Sequence, residues 1–452
     1  MLDEQEIRKL LNLEVDRAAP TVIIFAEQIT PRLNYVCRFI FEHVLKIKFV
    51  VTSGSDEFQA SGFYKINYSA QIITNTFQIV PQGFLFGRGV DAVVPIAEKK
   101  KNSIYFFTKN RSTDFDYDVF SAVFYLVSRY EEWQPFEKDV HGRFELNQSI
   151  LYKNGCHLLP VADEWIMELR EALALFYPGI IFPSLTTRTI ASIDVDNLFA
   201  YKHKGVLRTT GALAKDLVKG DFKNAAKRLG VLTGKEKDPF DIYEEFTRYC
   251  TQNQIPLFYF FLFRSGTKFD RTVSSSSPAF KKAITTVLNE GGNVGLHPSY
   301  ETSDREDLLA SEIKCFSETL GVPVIFSRQH YLKFKIRSTP RELLKNNIKV
   351  DFTMGFASGP GFRAGTSRPF FYYDFEKEAE TVLLFVPFCA MDGAYTVYDK
   401  KPADEALALL KNLKREIKKT GGLFVTVFHE RTFADHLYPG FGRMYKTLLK
   451  DE

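Results

Sequence analysis

Cysteine is scarce in this chain. Five cysteines are spread over 452 residues, at Cys37, Cys156, Cys250, Cys315 and Cys389. None forms a C-x-x-C pair and the number is odd, which argues against a disulfide framework and for a reducing compartment. Long hydrophobic runs are missing too. The longest, LFYFFLF at 257–263, falls well short of the ~18 residues a spanning helix needs. The N-terminal stretch MLDEQEIRKLLNLEVD mixes charges into its apolar residues, so it lacks the apolar core of a signal peptide. A cytoplasmic protein without a membrane span is expected. The net charge of +4 is too small to argue for nucleic acid or a membrane surface. No internal repeat is evident, and the only low-complexity tract is the serine run at 274–277.

What is present is the composition of an ordinary globular protein, long enough for two domains or for a large barrel with a smaller partner. The 43 Phe and 21 Tyr serve large cores first, with a few rings left for stacking on sugars. From about residue 186 onward, strand-like and helix-like stretches alternate. Seven short apolar runs, at 188–195, 255–263, 293–297, 323–328, 348–353, 381–388 and 422–429, read as buried parallel strands. Helical spacing links several of them: Leu309, Ile313, Phe316 and Leu320 end at Gly321, and Ala406, Leu409, Leu410, Leu413 and Ile417 end at Gly421. Residues 278–292 make a third such case. Ser303 and Glu306 have capping-box spacing. Repeated βα units imply a parallel sheet. The link from 372 to 402 has little helical signal.

Two regions stand apart. Residues 201–240 carry ten Lys or Arg against four acidic residues and read as an insertion with one or two short helices. It serves either as a solvated excursion or as a lid or contact for an anionic glycan. The first ~185 residues have a pattern of their own: a strand at 21–27, a helix at 32–45, a strand at 49–53 and a helix near 116–132. The cluster Arg129, Glu131, Glu132, Asp139, His141 and Arg143 reads as a buried ion-pair network rather than a site.

Ionisable residues stand where four apolar runs end: SIDVDN at 192–197, VGLHPS at 294–299, FSRQHY at 326–331 and VTVFHE at 425–430. The C-terminal ends of parallel strands form the face on which βα barrels do chemistry. On a strand, residues i and i+2 share a side, so Asp194 and Asp196 face together. Carboxylates this close repel unless a cation intervenes. A metal would hold one and leave the other as a general base; alternatively, backbone N–H groups or an arginine satisfy the pair. Arg328 and His330 are also two apart. His297 and His429 each close a run, and a lone histidine in the position of His297 is more often structural. Two carboxylates with several imidazoles suit a divalent metal and point to metal-assisted hydrolysis.

On these residues, the region from about 186 to 430 resembles the polysaccharide deacetylase superfamily, the carbohydrate esterase family 4 type. SIDVDN resembles the family's first motif, T-F-D-D-G, with an extra residue between the acids. VGLHPSYE resembles the second, H-x-x-x-H, with Glu301 in place of its second histidine. SRQHY resembles the third, R-x-P-Y, with His330 in place of proline, and VTVFHE resembles the last. The resemblance implies an α/β fold: a distorted (β/α)7 barrel over 186–452, preceded by a smaller α/β domain over 1–185. It also implies a metal-dependent hydrolase of non-peptide C–N bonds, in which activated water removes an acyl group, N-acetyl first, from a carbohydrate. Asp194 would be the catalytic base, Asp196 and His297 metal ligands, and His429 the general acid. We expect His330 to complete the metal set, with Glu301 as the alternative, and Arg328 to orient Asp194. The metal would be zinc, with cobalt, nickel or manganese as alternatives. Residues 351–370 resemble a loop of a bacterial branch, which puts Asp351, Arg363 and Thr366, with Tyr331 of the third motif, at the substrate. Through SRYEEW and HGRF, the N-terminal region resembles a domain of unknown role attached to such barrels.

Two other readings compete. The altered second motif fits a catalytically silent barrel that binds glycan or supports envelope polysaccharide synthesis. A glycoside hydrolase would instead pair Asp194 with a distant carboxylate at about 5–9.5 Å and need no metal.

Overall fold

The computed structural model describes residues 2–100, 103–108 and 114–450. Over these residues the fold is mixed α/β, with one sheet of nine strands, a smaller one of four and a two-stranded hairpin. By internal contacts the chain divides into two compact units. The first comprises Met1–Arg188, Phe334–Ala390 and Asn412–Val425; the second comprises Thr189–Lys333, Met391–Lys411 and Thr426–Glu452.

In the first unit, β1 (Thr21–Ala26), β2 (Lys48–Thr52), β3 (Tyr64–Tyr68) and β4 (Phe77–Gln78) form an all-parallel sheet in the order β2-β1-β3-β4. β1 reads TVIIFA and is buried almost throughout, as a strand covered on both faces must be. The crossover to β2 begins with the helix Pro31–Cys37. Thr30 caps it by accepting from the Leu33 amide, and proline stands at its start, where the missing N–H costs nothing. The chain continues through a π-helical stretch, Arg38–Val44. β5 (Glu98–Lys100) and β6 (Ser103–Tyr105) make the hairpin. The helix Val119–Val127 is buried at every position, which suits a sequence that is apolar but for Ser121, whose hydroxyl donates to the capping Asp118 at 2.6 Å. Beyond it, Arg129 bonds Glu131 and Glu132 at 2.9 and 2.8 Å, and Arg363 holds Glu132 from the other side at 2.6 Å. Arg129, Glu131 and Glu132 thus form a buried ion network, as expected of that part of the cluster, while Arg143 pairs with Asp139 at 2.8 Å and with Glu145 at 3.0 Å.

The second unit carries the parallel run. β7 (Thr187–Val195), β8 (Leu257–Leu262), β9 (Asn293–His297) and β10 (Phe326–Ser327) lie side by side, with Asp194 opposite Phe260, Leu262 opposite His297 and Leu296 opposite Ser327. β8 is LFYFFL and wholly buried. Gly295 sits where a Cβ would meet the Phe260 ring at 2.7 Å and Phe326 Cβ at 3.0 Å, so only glycine lets β9 pass between these two aromatics. The remaining strands of the nine are β11 (Val350–Asp351), β12 (Phe370–Asp374), β13 (Ala379–Phe385), β14 (Ala390–Met391) and β15 (Gly422–His429). β13 pairs antiparallel with β12 and parallel with β11. All seven expected runs contain strands. β12 and β14 were not anticipated, because both lie in or beside the stretch without periodicity.

Helices fall where apolar spacing put them: Pro278–Asn289, Glu306–Leu320 and Ala403–Thr420. Gly321 ends the second with φ +74°. The Ser303–Glu306 capping box does not form. Ser303 ends a 3-10 turn, Tyr300–Ser303, and Arg305 takes the cap position without a side-chain bond. The 201–240 insertion forms two helices, Val206–Val218 and Phe222–Leu232.

Candidate metal centre

Four strand ends in the second unit deliver the polar cluster. Asp196 follows the last residue of β7, His297 ends β9, His330 opens a turn two residues beyond Arg328 after β10, and His429 ends β15. The strand segments leading to these residues are largely buried, so packing fixes the backbone that carries each ionisable side chain at its end. Asp196, His297 and His330 each turn a ligand-type atom to one place, all within 4.8 Å of one another. Asp196 Oδ1 stands 3.5 Å from His297 Nε2 and 3.4 Å from His330 Nε2. That oxygen is buried and has no hydrogen bond. Bonds of ~2.0–2.1 Å in a tetrahedral site separate ligand atoms by about 3.3–3.5 Å. Donor types, spacing and the orphaned oxygen therefore all fit a divalent cation. Glu301, the alternative ligand, is exposed on the turn Tyr300–Ser303 and is not one of these three donors.

Each imidazole is oriented through its other nitrogen, as metal-binding histidines characteristically are. His297 Nδ1 bonds the Arg328 carbonyl at 2.5 Å and His330 Nδ1 bonds Asp270 at 2.9 Å. Asp270 is itself held by the Tyr300 amide and the Thr267 hydroxyl.

Two arginines divide the acids. Arg328, fully buried, donates to Asp194 Oδ1 at 2.7 Å and to Ser192 Oγ at 2.9 Å. Ser192 and Asp194 thus share a side, as strand geometry requires. Asp194 Oδ2 lies 3.8 Å from His297 Nε2. Arg431 donates to Asp196 Oδ2 at 2.6 Å. His429 Nε2 lies 3.7 Å from that same oxygen, while its Nδ1 bonds Asp392 Oδ1 at 2.6 Å. Glu430 accepts the backbone amides of Asp196 and Asn197.

The electrostatics follow from these neighbours. Burial pushes the Asp196 carboxyl up, but His429, Arg431 and His330 overwhelm it and hold the group well below the usual carboxylate range. Burial disfavours charge on His330, yet Asp196 and Asp270 outweigh it and raise the imidazole to about 9. For His429, burial and Arg431 push down while Asp392 and Asp196 push up, and the net shift is upward. Burial, then the Asp196 charge, lifts Glu430 to about 8.

Tyr331 adjoins this cluster in a left-handed conformation, φ +58°. Its ring packs against His330, Phe269 and Tyr300 at 4.7, 5.4 and 5.4 Å. The other three pocket candidates belong to the first unit. Asp351 accepts from the Thr353 amide, Arg363 is taken by Glu132, and Thr366 Oγ1 donates to Asp163 at 2.5 Å.

Sequence reasoning missed Asp270, Asp392, Glu430 and Arg431. Asp270 lies in the non-periodic 264–277 segment and Asp392 in the weakly patterned 372–402 link. Glu430 and Arg431 directly follow His429, so their adjacency was a signal available to find them.

A family model described as a family of unknown function, DUF7033, matches residues 22–178, less than half of the chain. No curated protein matches. Among solved structures, one described as a polysaccharide deacetylase from Mycobacterium smegmatis is 13% identical, with 60% of this chain and 85% of that chain covered and a TM-score of 0.38. IcaB from Ammonifex degensii is 14% identical, with 37% and 84% covered and a TM-score of 0.21. Both are too divergent in sequence and shape to carry fold or activity across.

Proposed function

We propose that this protein is a divalent-metal-dependent hydrolase that removes an acyl group, N-acetyl first, from a carbohydrate, on a distorted (β/α)7 barrel. The convergence of Asp196, His297 and His330 on one point, with a buried unbonded oxygen among them, carries the reading. The carbohydrate substrate rests on the four motif resemblances. Five free cysteines support the cytoplasmic placement.

Asp196, His297 and His330 would hold the cation, zinc by donor type. When bound, it supplies Lewis acidity to the acyl carbonyl and lowers the pKa of water. Asp194 takes a proton from the attacking water at Oδ2, since Arg328 occupies Oδ1. The water oxygen bonds the carbonyl carbon as the C–N bond breaks. His429, kept protonated to higher pH by Asp392 and Asp196, delivers a proton from Nε2 to the leaving amine, and acetate departs. Tyr331 presents a half-exposed ring to the sugar.

The test is elemental analysis of the purified protein with acetate release from N-acetylated oligosaccharides. One bound divalent ion, lost from His297→Ala and His330→Ala together with activity, is the expected result. A metal-free native protein that tolerates both substitutions overturns it. One observation favours the silent reading: Arg431 already neutralises one oxygen of Asp196. That reading requires intact metal-free folding and no acetate release.

A further inference from the structure

The two helices of the basic insertion present a face that the proposed chemistry does not use. Gly220, at φ +71°, makes the turn between them, and Asp221 caps the second by accepting from the Asn224 amide. Their inner sides are tied together. Asp216 accepts two bonds from Arg228, at 3.0 and 2.8 Å, and the Arg228 guanidinium lies 4.8 Å over the Tyr201 ring. The outer side is apolar and bare. Val206, Leu207 and Val218 are 79%, 90% and 89% exposed on the first helix, and Phe222 is 68% exposed on the second, beside exposed Leu229 and Leu232. At 3.6 residues per turn, Val206, Leu217, Ala214, Leu207 and Val218 fall within an arc of roughly 120°, which also holds Thr210, whose hydroxyl turns back to the Val206 carbonyl at 3.0 Å. Soluble monomers seldom leave such apolar stripes in water.

Cations border the stripe: Arg208, Lys215 and Lys219 on the first helix and its end, and Lys223 on the second. The insertion's four acids leave them unneutralised. Asp216 is bound to Arg228. Asp238 accepts the amides of Ala200, Tyr201, Lys202 and Phe240. Asp221 is the cap, and Glu236 pairs with Lys227. Among the described residues, no carboxylate forms an ion pair with Arg208, Lys215, Lys219 or Lys223. Aliphatic side chains on one arc with basic residues along its border make the pattern of a helix lying in a lipid interface. A second copy packed on this face would set like charges against each other, and a glycan surface would call for stacked aromatic rings, of which the stripe has only Phe222. No helix among the described residues is long and apolar enough to cross a membrane, so the mode is docking on the surface.

We propose that the helical hairpin 206–232 docks this protein on an anionic bilayer, its apolar stripe entering the headgroup–acyl boundary and Arg208, Lys215, Lys219 and Lys223 meeting lipid phosphates. The proposal goes beyond the hydrolase reading and stands without it. The small net charge of the whole chain does not oppose it, because a surface responds to charge within a Debye length.

The test is co-sedimentation of the full chain with vesicles of phosphatidylcholine mixed with phosphatidylglycerol, against pure phosphatidylcholine. Binding to the mixed vesicles alone, weakened by salt, is expected. Leu207→Ser with Val218→Ser lowers the partition coefficient at least about tenfold, and each of Lys215→Gln and Lys219→Gln lowers it about fivefold. These positions are exposed, so circular dichroism and metal content stay unchanged. Equal binding to both vesicles, binding to neither, or insensitivity to all four substitutions overturns the proposal. So does a concentration-dependent dimer that Leu207→Ser dissolves, since a second copy would then cover the stripe.

Discussion

Asp194 and Asp196 stand two residues apart and are given different work by two different arginines. Arg328 takes Oδ1 of Asp194, and Arg431 takes Oδ2 of Asp196. One free oxygen remains on each, facing His297 in the first case and two imidazoles in the second. Asp194→Asn should keep the full metal complement, because the three donors are untouched, and lose about 10²–10⁴-fold in turnover. Acetate release together with metal content checks this; normal turnover would remove Asp194 from the role of base. Asp392 acts through His429. It is one of the two acids that hold the imidazole up, and in Asp392→Asn His429 should titrate lower. Because the acid works protonated, the alkaline limb of the kcat/KM profile should move to lower pH, with metal content unchanged. A purely structural role would lower activity at every pH and leave that limb in place.

At the scale of elements, the site depends on how four short strands terminate. β7, β8 and β9 are in register so that Asp194 and His297 reach the same end of the sheet. Close spacing there needs Gly295, since a methyl group would strike the Phe260 ring, on whose face the Arg328 guanidinium rests at 4.4 Å. Gly295→Ala should therefore cost about 1–3 kcal/mol through overpacking, read as a lower melting temperature. It should also loosen Arg328 from Asp194 and reduce kcat more than it changes KM. The seven apolar runs were legible as strands because burial demands unbroken hydrophobicity. β12 was not, because an antiparallel partner inserted after β11 leaves no periodic trace that separates it from loop. The failed capping box at Ser303 has a local cause as well: the chain makes a 3-10 turn first, so the serine ends one turn before the helix begins.

At the scale of the whole molecule, one buried imidazole outside the site sets an acid limit. His43 is buried in the first unit, its Nδ1 without a hydrogen bond and its ring against Phe39 and Phe371. Burial, reinforced by Lys46, Arg38 and Arg8, lowers it from the usual 6.5 to about 3. A depressed folded-state value favours the native state above the unfolded value and withdraws that support as pH falls through the window toward the folded one. Unfolding free energy should drop by about 1.4 kcal/mol per pH unit below pH ~6 from this group. His43→Phe should flatten that slope in urea titrations; an unchanged slope would mean that another group sets the limit. The two compact units interleave along the chain, the first taking back 334–390 and 412–425. A linear reading assigns stretches by their neighbours in sequence and does not see such returns.

Sequence alone determined the seven strands of the apolar runs and the ionisable residues that close four of them, because period, burial and i, i+2 geometry are local properties of the chain. It also singled out the ion network around Arg129 and the helices of the basic insertion. Only the tertiary structure decided which charges meet. Asp270 finds His330, Asp392 finds His429 and Arg431 finds Asp196 across spans of tens to hundreds of residues. Those pairings follow from strand register and loop path, which no short stretch of sequence encodes.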